Sequence, residues 1–130
     1  MVIQLGHQIL DVKAPRLFKG SDQILRDFIN IEDVVQANIK ACNPKQSGVY
    51  NVGTGKPRSF QDIADILQKE LGTDLGTEYF PNPYDGYQMH TQADISPTQD
   101  CLSFEPKVSL EEGIKAYVPE IRRLHGEPLS

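Results

Sequence analysis

At 130 residues the chain is long enough for one modest hydrophobic core and no more. Hydrophobic residues make up 38%, low for a self-sufficient globular domain yet well above a disordered composition. A net charge of −5 argues against a nucleic-acid partner, although it leaves room for a local cationic phosphate site.

Residues 1–11 carry Val2, Ile3, Leu5, Ile9 and Leu10, the broad apolar face of a helix that begins abruptly at Met1 without a capping side chain. An ordinary initiator methionine, or a chain cut inside an element, accounts for that start. No basic leader precedes it, and no apolar run approaches membrane-spanning length, so a cytoplasmic protein without a membrane partner is expected. Pro15 ends the segment. Arg16-Leu17-Phe18 reads as a short strand before the turn Gly20-Ser21-Asp22, and Phe28-Ile29 as a second strand. Asn30, with Asp33 three residues on, opens a helix whose expected inner face is Val34, Val35, Ile39 and Cys42. Cys42 is therefore expected to be a buried free thiol, and Cys101 stands at no CxxC spacing from it.

Val49-Tyr50-Asn51-Val52 is rich in β-formers and ends in Gly53-Thr54-Gly55. Ser59 and Asp62 form a capping-box pattern for a helix bearing Phe60, Ile63, Ile66, Leu67 and Leu71 on one face, with Gly72 as its stop. Glu78-Tyr79-Phe80 and residues 87–92 read as extended. Ser96-Pro97 starts a short helix. Ser109 and Glu112 cap a last helix with Leu110, Ile114, Tyr117, Ile121 and Leu124 inside, which Pro119 is expected to kink or interrupt. Residues 126–130 read as a flexible tail, and residues 1–125 as one unit.

Alternating strands and helices indicate an α/β fold. The strands are few and short, however, and a parallel strand at 49–52 needs neighbours on both sides that this chain hardly provides. A missing portion is the physical expectation.

The chemistry-bearing residues are sparse. Arg26 precedes Asp27 and can fork two hydrogen bonds onto a phosphate without deprotonating; a salt bridge to Asp27 or another surface carboxylate is the plainer reading. Phe18-Lys19-Gly20-Ser21 offers a ring, a backbone a ligand can approach and a hydroxyl, which suits a sugar site or an ordinary turn. Gly53-Thr54-Gly55-Lys56 lacks both the P-loop and the G-x-G-x-x-G spacing, and Pro57 follows it, so it reads as a strand-to-helix turn. His7, His90 and His125 show no metal-ligand spacing, and no G-x-S-x-G elbow is present. Tyr87-Gln88, with Tyr84 nearby, suits ring stacking or a plain turn or core tyrosine.

The ordered series of segments adds a resemblance. Arg26-Asp27-Phe28-Ile29-Asn30-Ile31-Glu32-Asp33-Val34 resembles the RDF(V/I)-x-(V/I)-x-DV block of extended short-chain dehydrogenases that act on nucleotide sugars. Gly48 to Gly55 is similar to their GxYNxGTG block, and Ser109 to Ile114 looks like their last helix. Tyr87-Gln88-Met89-His90-Thr91-Gln92-Ala93-Asp94 resembles the YQ-x-x-TQAD stretch of ADP-glyceromanno-heptose 6-epimerases.

The resemblance implies the C-terminal, substrate-binding portion of a Rossmann-type fold, with the N-terminal dinucleotide-binding strands absent. It implies an NADP-dependent isomerase that interconverts ADP-D-glycero- and ADP-L-glycero-manno-heptose for lipopolysaccharide core synthesis, inactive as this chain alone. Arg26 would contact the ADP pyrophosphate. Phe18, Lys19, Gly20 and Ser21 would line the substrate pocket, and Tyr87 and Gln4 would also bind substrate. Gly86 departs from relatives that carry Arg there. NADP would be held by the missing N-terminal half, since no Gly-x-x-Gly-x-x-Gly and no Tyr-x-x-x-Lys occur here; no catalytic, cofactor-binding or metal residue is assigned to this chain. The implied partners are the ADP-sugar, that N-terminal half and, for the completed protein, further copies of itself. A UDP- or GDP-hexose enzyme and a non-enzymatic nucleotide-binding or assembly module are the alternatives.

Overall fold

A computed structural model describes residues 1–126; of the expected tail at 126–130, Gly126 belongs to the last helix and residues 127–130 lie outside the described residues. The first element is helix α1 (Val2–Leu10), which has no side-chain cap, as its sequence implies. Strand β1 (Arg16–Phe18) pairs in parallel with β4 (Glu78–Phe80), and β2 (Leu25–Arg26) pairs antiparallel with β3 (Arg58–Ser59). These are two separate two-stranded sheets. Helices α2 (Ile31–Lys40), α3 (Phe60–Leu71), α4 (Ser96–Leu102) and α5 (Leu110–Gly126) complete the order.

The core is where α1, α3 and α5 meet. Leu5 and Ile9 from α1, Ile63, Ala64 and Leu67 from α3, and Ile114, Val118 and Ile121 from α5 are buried there with Leu17 and Ile24. Gly6 lets α1 and α5 cross closely: a Cβ on it would sit 2.8 Å from Ile121 Cγ2. Helix α3 has the expected capping box, with the Ser59 hydroxyl accepting from the Asp62 N–H and the Asp62 carboxylate accepting from the Ser59 N–H. A smaller cluster of Ala37, Leu102 and Phe104, joined by Ile29 and Tyr50, ties α2 to α4.

Several expectations are corrected. Phe28-Ile29 is not a strand; pairing occurs three residues earlier, at Leu25-Arg26, where Leu25 also bonds residues 89 and 91. Helix α2 is turned from its expected orientation. Its buried residues are Asp33 and Ala37, while Val35, Ile39 and Cys42 are exposed. The cause is Asp33, whose carboxylate accepts from the Lys107 and Val108 N–H groups at 3.0 and 3.1 Å and so faces the protein. Residues 49–52 form no strand, and Val49 is fully exposed, because no sheet edge lies beside them. In α5 Val118 rather than Tyr117 is buried, and the helix runs on through Pro119. Pro119 lies on the exposed face, where water can serve the carbonyl that its missing N–H leaves free.

Candidate functional site

A cleft of about 370 Å³ opens between α1 and the β1–β4 pair. Helix α1 contributes Gln4 and Gln8, one turn apart on its polar side. Strand alternation buries Leu17 and leaves Arg16 and Phe18 on the other face, and the parallel register sets Phe18 opposite Phe80. Phe60, at the start of α3, and Tyr87 close the cleft. Its floor is aromatic: Phe18 meets Phe80 and Tyr87 edge-on at centroid distances of 4.9 and 5.5 Å, and Tyr84 stacks on Tyr87 at 6.1 Å.

Arg26 stands at the rim of this floor. Its guanidinium carbon lies 5.3 Å from the Tyr87 centroid and 5.5 Å from that of Phe60. Nη1 donates to the Leu25 carbonyl at 2.9 Å and Nη2 to the Gln88 carbonyl at 2.5 Å. Among the described residues no carboxylate forms an ion pair with it. Its charge is therefore held in place and still uncompensated, which suits an anion.

Asp27, the salt-bridge partner the sequence offered, is turned to other work. Its carboxylate accepts hydrogen bonds from Thr54, Gly55 and Ala93. Burial pushes this carboxyl up, but the bonds from Thr54, Gly55 and Ala93 outweigh it and hold the group below its ordinary value. The N–H groups of Thr54 and Gly55 are thus committed to a carboxylate. The Gly53-Thr54-Gly55 turn cannot also cradle a phosphate.

The sequence-derived residues divide in two. Gln4, Phe18 and Tyr87 share the cleft, with Arg26 at its rim. Lys19, Gly20 and Ser21 form the turn behind Phe18 and do not line it. Ser21 is fully buried, and its hydroxyl donates to the Phe18 carbonyl. Gln8, Arg16, Phe60 and Phe80 line the cleft and escaped the sequence reading. The spacing of Gln4 and Gln8 on one helix was a usable signal; the Phe18–Phe80 register was not. A second cavity of about 200 Å³ holds Lys56, Arg58 and Lys107, but Arg58 is engaged by Asp62 and Glu111. Among the described residues no cluster of His, Cys, Asp and Glu is placed to hold a metal ion, and no helix is long and apolar enough to cross a membrane.

No protein-family model matches the chain. The ADP-L-glycero-D-manno-heptose-6-epimerase of Brachyspira hyodysenteriae is 36% identical to it over 130 residues, a match covering 97% of this chain and 41% of that protein. The crystal structure of the Helicobacter pylori ADP-L-glycero-D-manno-heptose-6-epimerase is 45% identical with a TM-score of 0.83, over 94% of this chain and 37% of that one. The UDP-glucuronic acid 4-epimerase of Bacillus cereus, solved with a UDP-sugar and NAD, is 30% identical with a TM-score of 0.84, over 95% and 40%. The chain therefore spans about two-fifths of the length of these relatives.

Proposed function

We propose that this chain, a relative of the nucleotide-sugar epimerases over 97% of its residues, is the C-terminal, substrate-binding portion of an ADP-glyceromanno-heptose 6-epimerase. The completed enzyme would interconvert ADP-D-glycero- and ADP-L-glycero-manno-heptose for lipopolysaccharide core synthesis in the cytoplasm, as a homo-oligomer.

One observation carries the reading. Arg26 is a guanidinium without a carboxylate partner among the described residues, pinned by two carbonyls over Tyr87 and Phe60 at the mouth of a cleft. A fork of that kind binds a diphosphate with two parallel hydrogen bonds. Phe18 and Tyr87 would supply flat apolar surface to the nucleotide, and Gln4 an amide to a hydroxyl. Lys19, Gly20 and Ser21 would shape the turn that sets Phe18.

The epimerase reaction calls for a nicotinamide cofactor, NADP in this reading. The residues of this chain do not fit it, because the one glycine-rich turn spends its amides on Asp27. The cofactor and the acid–base groups would belong to a dinucleotide-binding half. Helix α2 offers that half an exposed apolar stripe of Ile31, Val35 and Ile39.

The chain alone should not turn over ADP-heptose, and should do so with NADP once joined to such a half. Arg26→Ala in the joined protein should abolish turnover. Turnover by the isolated 130 residues, or an ADP affinity indifferent to Arg26→Ala, would refute the reading. A UDP-sugar substrate is the second reading, favoured by the likeness to the UDP-glucuronic acid 4-epimerase. Arg26 does not distinguish bases, so a thermal-shift panel of ADP-, UDP- and GDP-sugars separates the two.

A further inference from the structure

The loop that leaves β4 carries Tyr84-Asp85-Gly86-Tyr87 on its way to Gln88, whose carbonyl holds Arg26. Asp85 is the one aspartate or asparagine of the chain that a glycine follows. It is exposed, and among the described residues its carboxylate makes no ion pair. Gly86 stands in the left-handed region at φ 65, with open space where a Cβ would be. Among the described residues its N–H donates to no backbone carbonyl. Within residues 81–87 the chain is tied by the Tyr84 N–H, which donates to Asn82 Oδ1 at 2.9 Å.

We propose that Asp85-Gly86 is a site of spontaneous backbone modification, where aspartate isomerises to isoaspartate and disturbs the aromatic floor of the cleft. The Gly86 backbone nitrogen attacks Cγ of the protonated Asp85 carboxyl. A C–N bond forms, the carboxyl hydroxyl leaves with the amide proton as water, and a succinimide ring closes. Water then adds to one of the two ring carbonyls. Cleavage of the bond between nitrogen and Cγ restores aspartate. Cleavage of the bond between nitrogen and the main-chain carbonyl carbon leaves the chain running through Cγ, with the α-carboxylate free. One water leaves and one returns, so no other reactant is consumed.

Glycine admits the reaction because its nitrogen can swing onto Cγ without a Cβ in the way. Asp22 is the internal contrast. It too is exposed in a turn, but Gln23 follows it, the Gln23 N–H is committed to the Gly20 carbonyl at 2.8 Å, and Asp22 Oδ2 accepts from the Gln23 side chain. The consequence at Asp85 comes from its neighbours. Isomerisation adds one carbon to the main chain between Tyr84 and Tyr87, whose rings stack at 6.1 Å and 22°. Tyr87 lies 5.3 Å from the Arg26 guanidinium, and the next carbonyl accepts from Arg26 Nη2. A longer backbone there moves both groups that hold the arginine. The effect on ligand binding rests on the nucleotide-sugar reading above, whereas the isomerisation does not.

The test ages the full 130-residue chain in warm, mildly acidic buffer and maps it by peptide mass spectrometry. Protein isoaspartate methyltransferase with labelled S-adenosylmethionine marks the isomer. The peptide containing Asp85 should appear first one water lighter, then at its original mass as a methyl acceptor, while the Asp22 peptide stays unlabelled. Gly86→Ala should slow the conversion severalfold, and Asp85→Ser should abolish it. In the converted chain the NMR resonances of the Tyr87 ring and the Arg26 guanidinium should shift, and affinity for inorganic pyrophosphate should fall severalfold. Equal labelling at Asp22 and Asp85, or conversion of Asp85 only in urea-unfolded chain, would overturn the site. Isomer formation with the Tyr87 and Arg26 resonances unmoved would overturn its link to the cleft. If isoaspartate accumulates but fresh chain binds no pyrophosphate, the modification site stands and the nucleotide-sugar reading falls.

Discussion

Asp27 takes both donors of Thr54 on one oxygen: Oδ1 accepts from the Thr54 N–H at 2.8 Å and from its hydroxyl at 2.6 Å. The other oxygen accepts from the Gly55 N–H at 2.8 Å and the Ala93 N–H at 3.1 Å. One carboxylate thus pins the turn after residue 53 and the segment that carries Gln88, whose carbonyl positions Arg26. Two adjacent residues of opposite charge do separate jobs, and the separation leaves Arg26 available.

Asp27→Asn should therefore destabilise the chain by about 2 kcal/mol, because an amide offers one acceptor and turns an –NH₂ toward backbone donors. The folded carboxyl titrates lower than the unfolded one. It contributes stability above the unfolded value, about 4, and that stability is lost as pH falls through the folded value. Urea melts of wild type between pH 6 and pH 3 should show this acid loss, and the Asn variant should show less of it.

Gly53 sits in the crook of the same network. A Cβ there would lie 2.7 Å from the Ala93 Cβ and 2.8 Å from Asp27 Oδ2, so Gly53→Ala must push apart the groups that Asp27 gathers. A cost of about 1–3 kcal/mol is expected. Gly48→Ala, where the nearest atom is 3.5 Å away, is the control and should change the urea midpoint little.

Val12 is a β-branched residue in the left-handed region, at φ 59, just past the end of α1. Its N–H bonds the Ile9 carbonyl and that of Lys13 the Gln8 carbonyl, so the position closes the helix as a glycine commonly does. The side chain is 77% exposed and loses little burial on removal. Val12→Gly should raise stability by about 1 kcal/mol, read as an upward shift of the melting temperature.

Asp33 is 4% exposed and holds the Lys107 and Val108 amides in front of α5. Asp33→Ala would leave both partly buried donors without their carboxylate partner. A loss of about 2–4 kcal/mol is expected in chemical denaturation, with faster hydrogen exchange at residues 107 and 108.

The apolar stripe on α2 bears on assembly. Ile31, Val35 and Ile39 are 70%, 47% and 58% exposed at positions four residues apart. Ile39→Glu should change the stability of the chain alone by less than about 0.5 kcal/mol. In co-purification with a dinucleotide-binding half it should abolish the complex. Unchanged co-purification would remove this face from the proposed junction.

Much of the architecture could be read from residue order, because local rules acted unopposed. The Ser59–Asp62 capping box and the apolar repeat from Phe60 to Leu71 each specify an element by contacts within a few residues. The same holds for the uncapped α1 and for Arg16–Phe18. Tertiary structure decided what depended on residues far apart. It turned α2 inward on Asp33, because two amides some 75 positions along the chain require that carboxylate. It left residues 49–52 out of any strand, because a strand exists only beside another edge. It drew Asp27 toward Thr54, Gly55 and Ala93, and it set Phe80 against Phe18 and Arg16 at the far end of the cleft. Local propensity settles which segment forms; pairing of buried polar groups and shared register settle which faces meet, and those conditions are not written in any single stretch of chain.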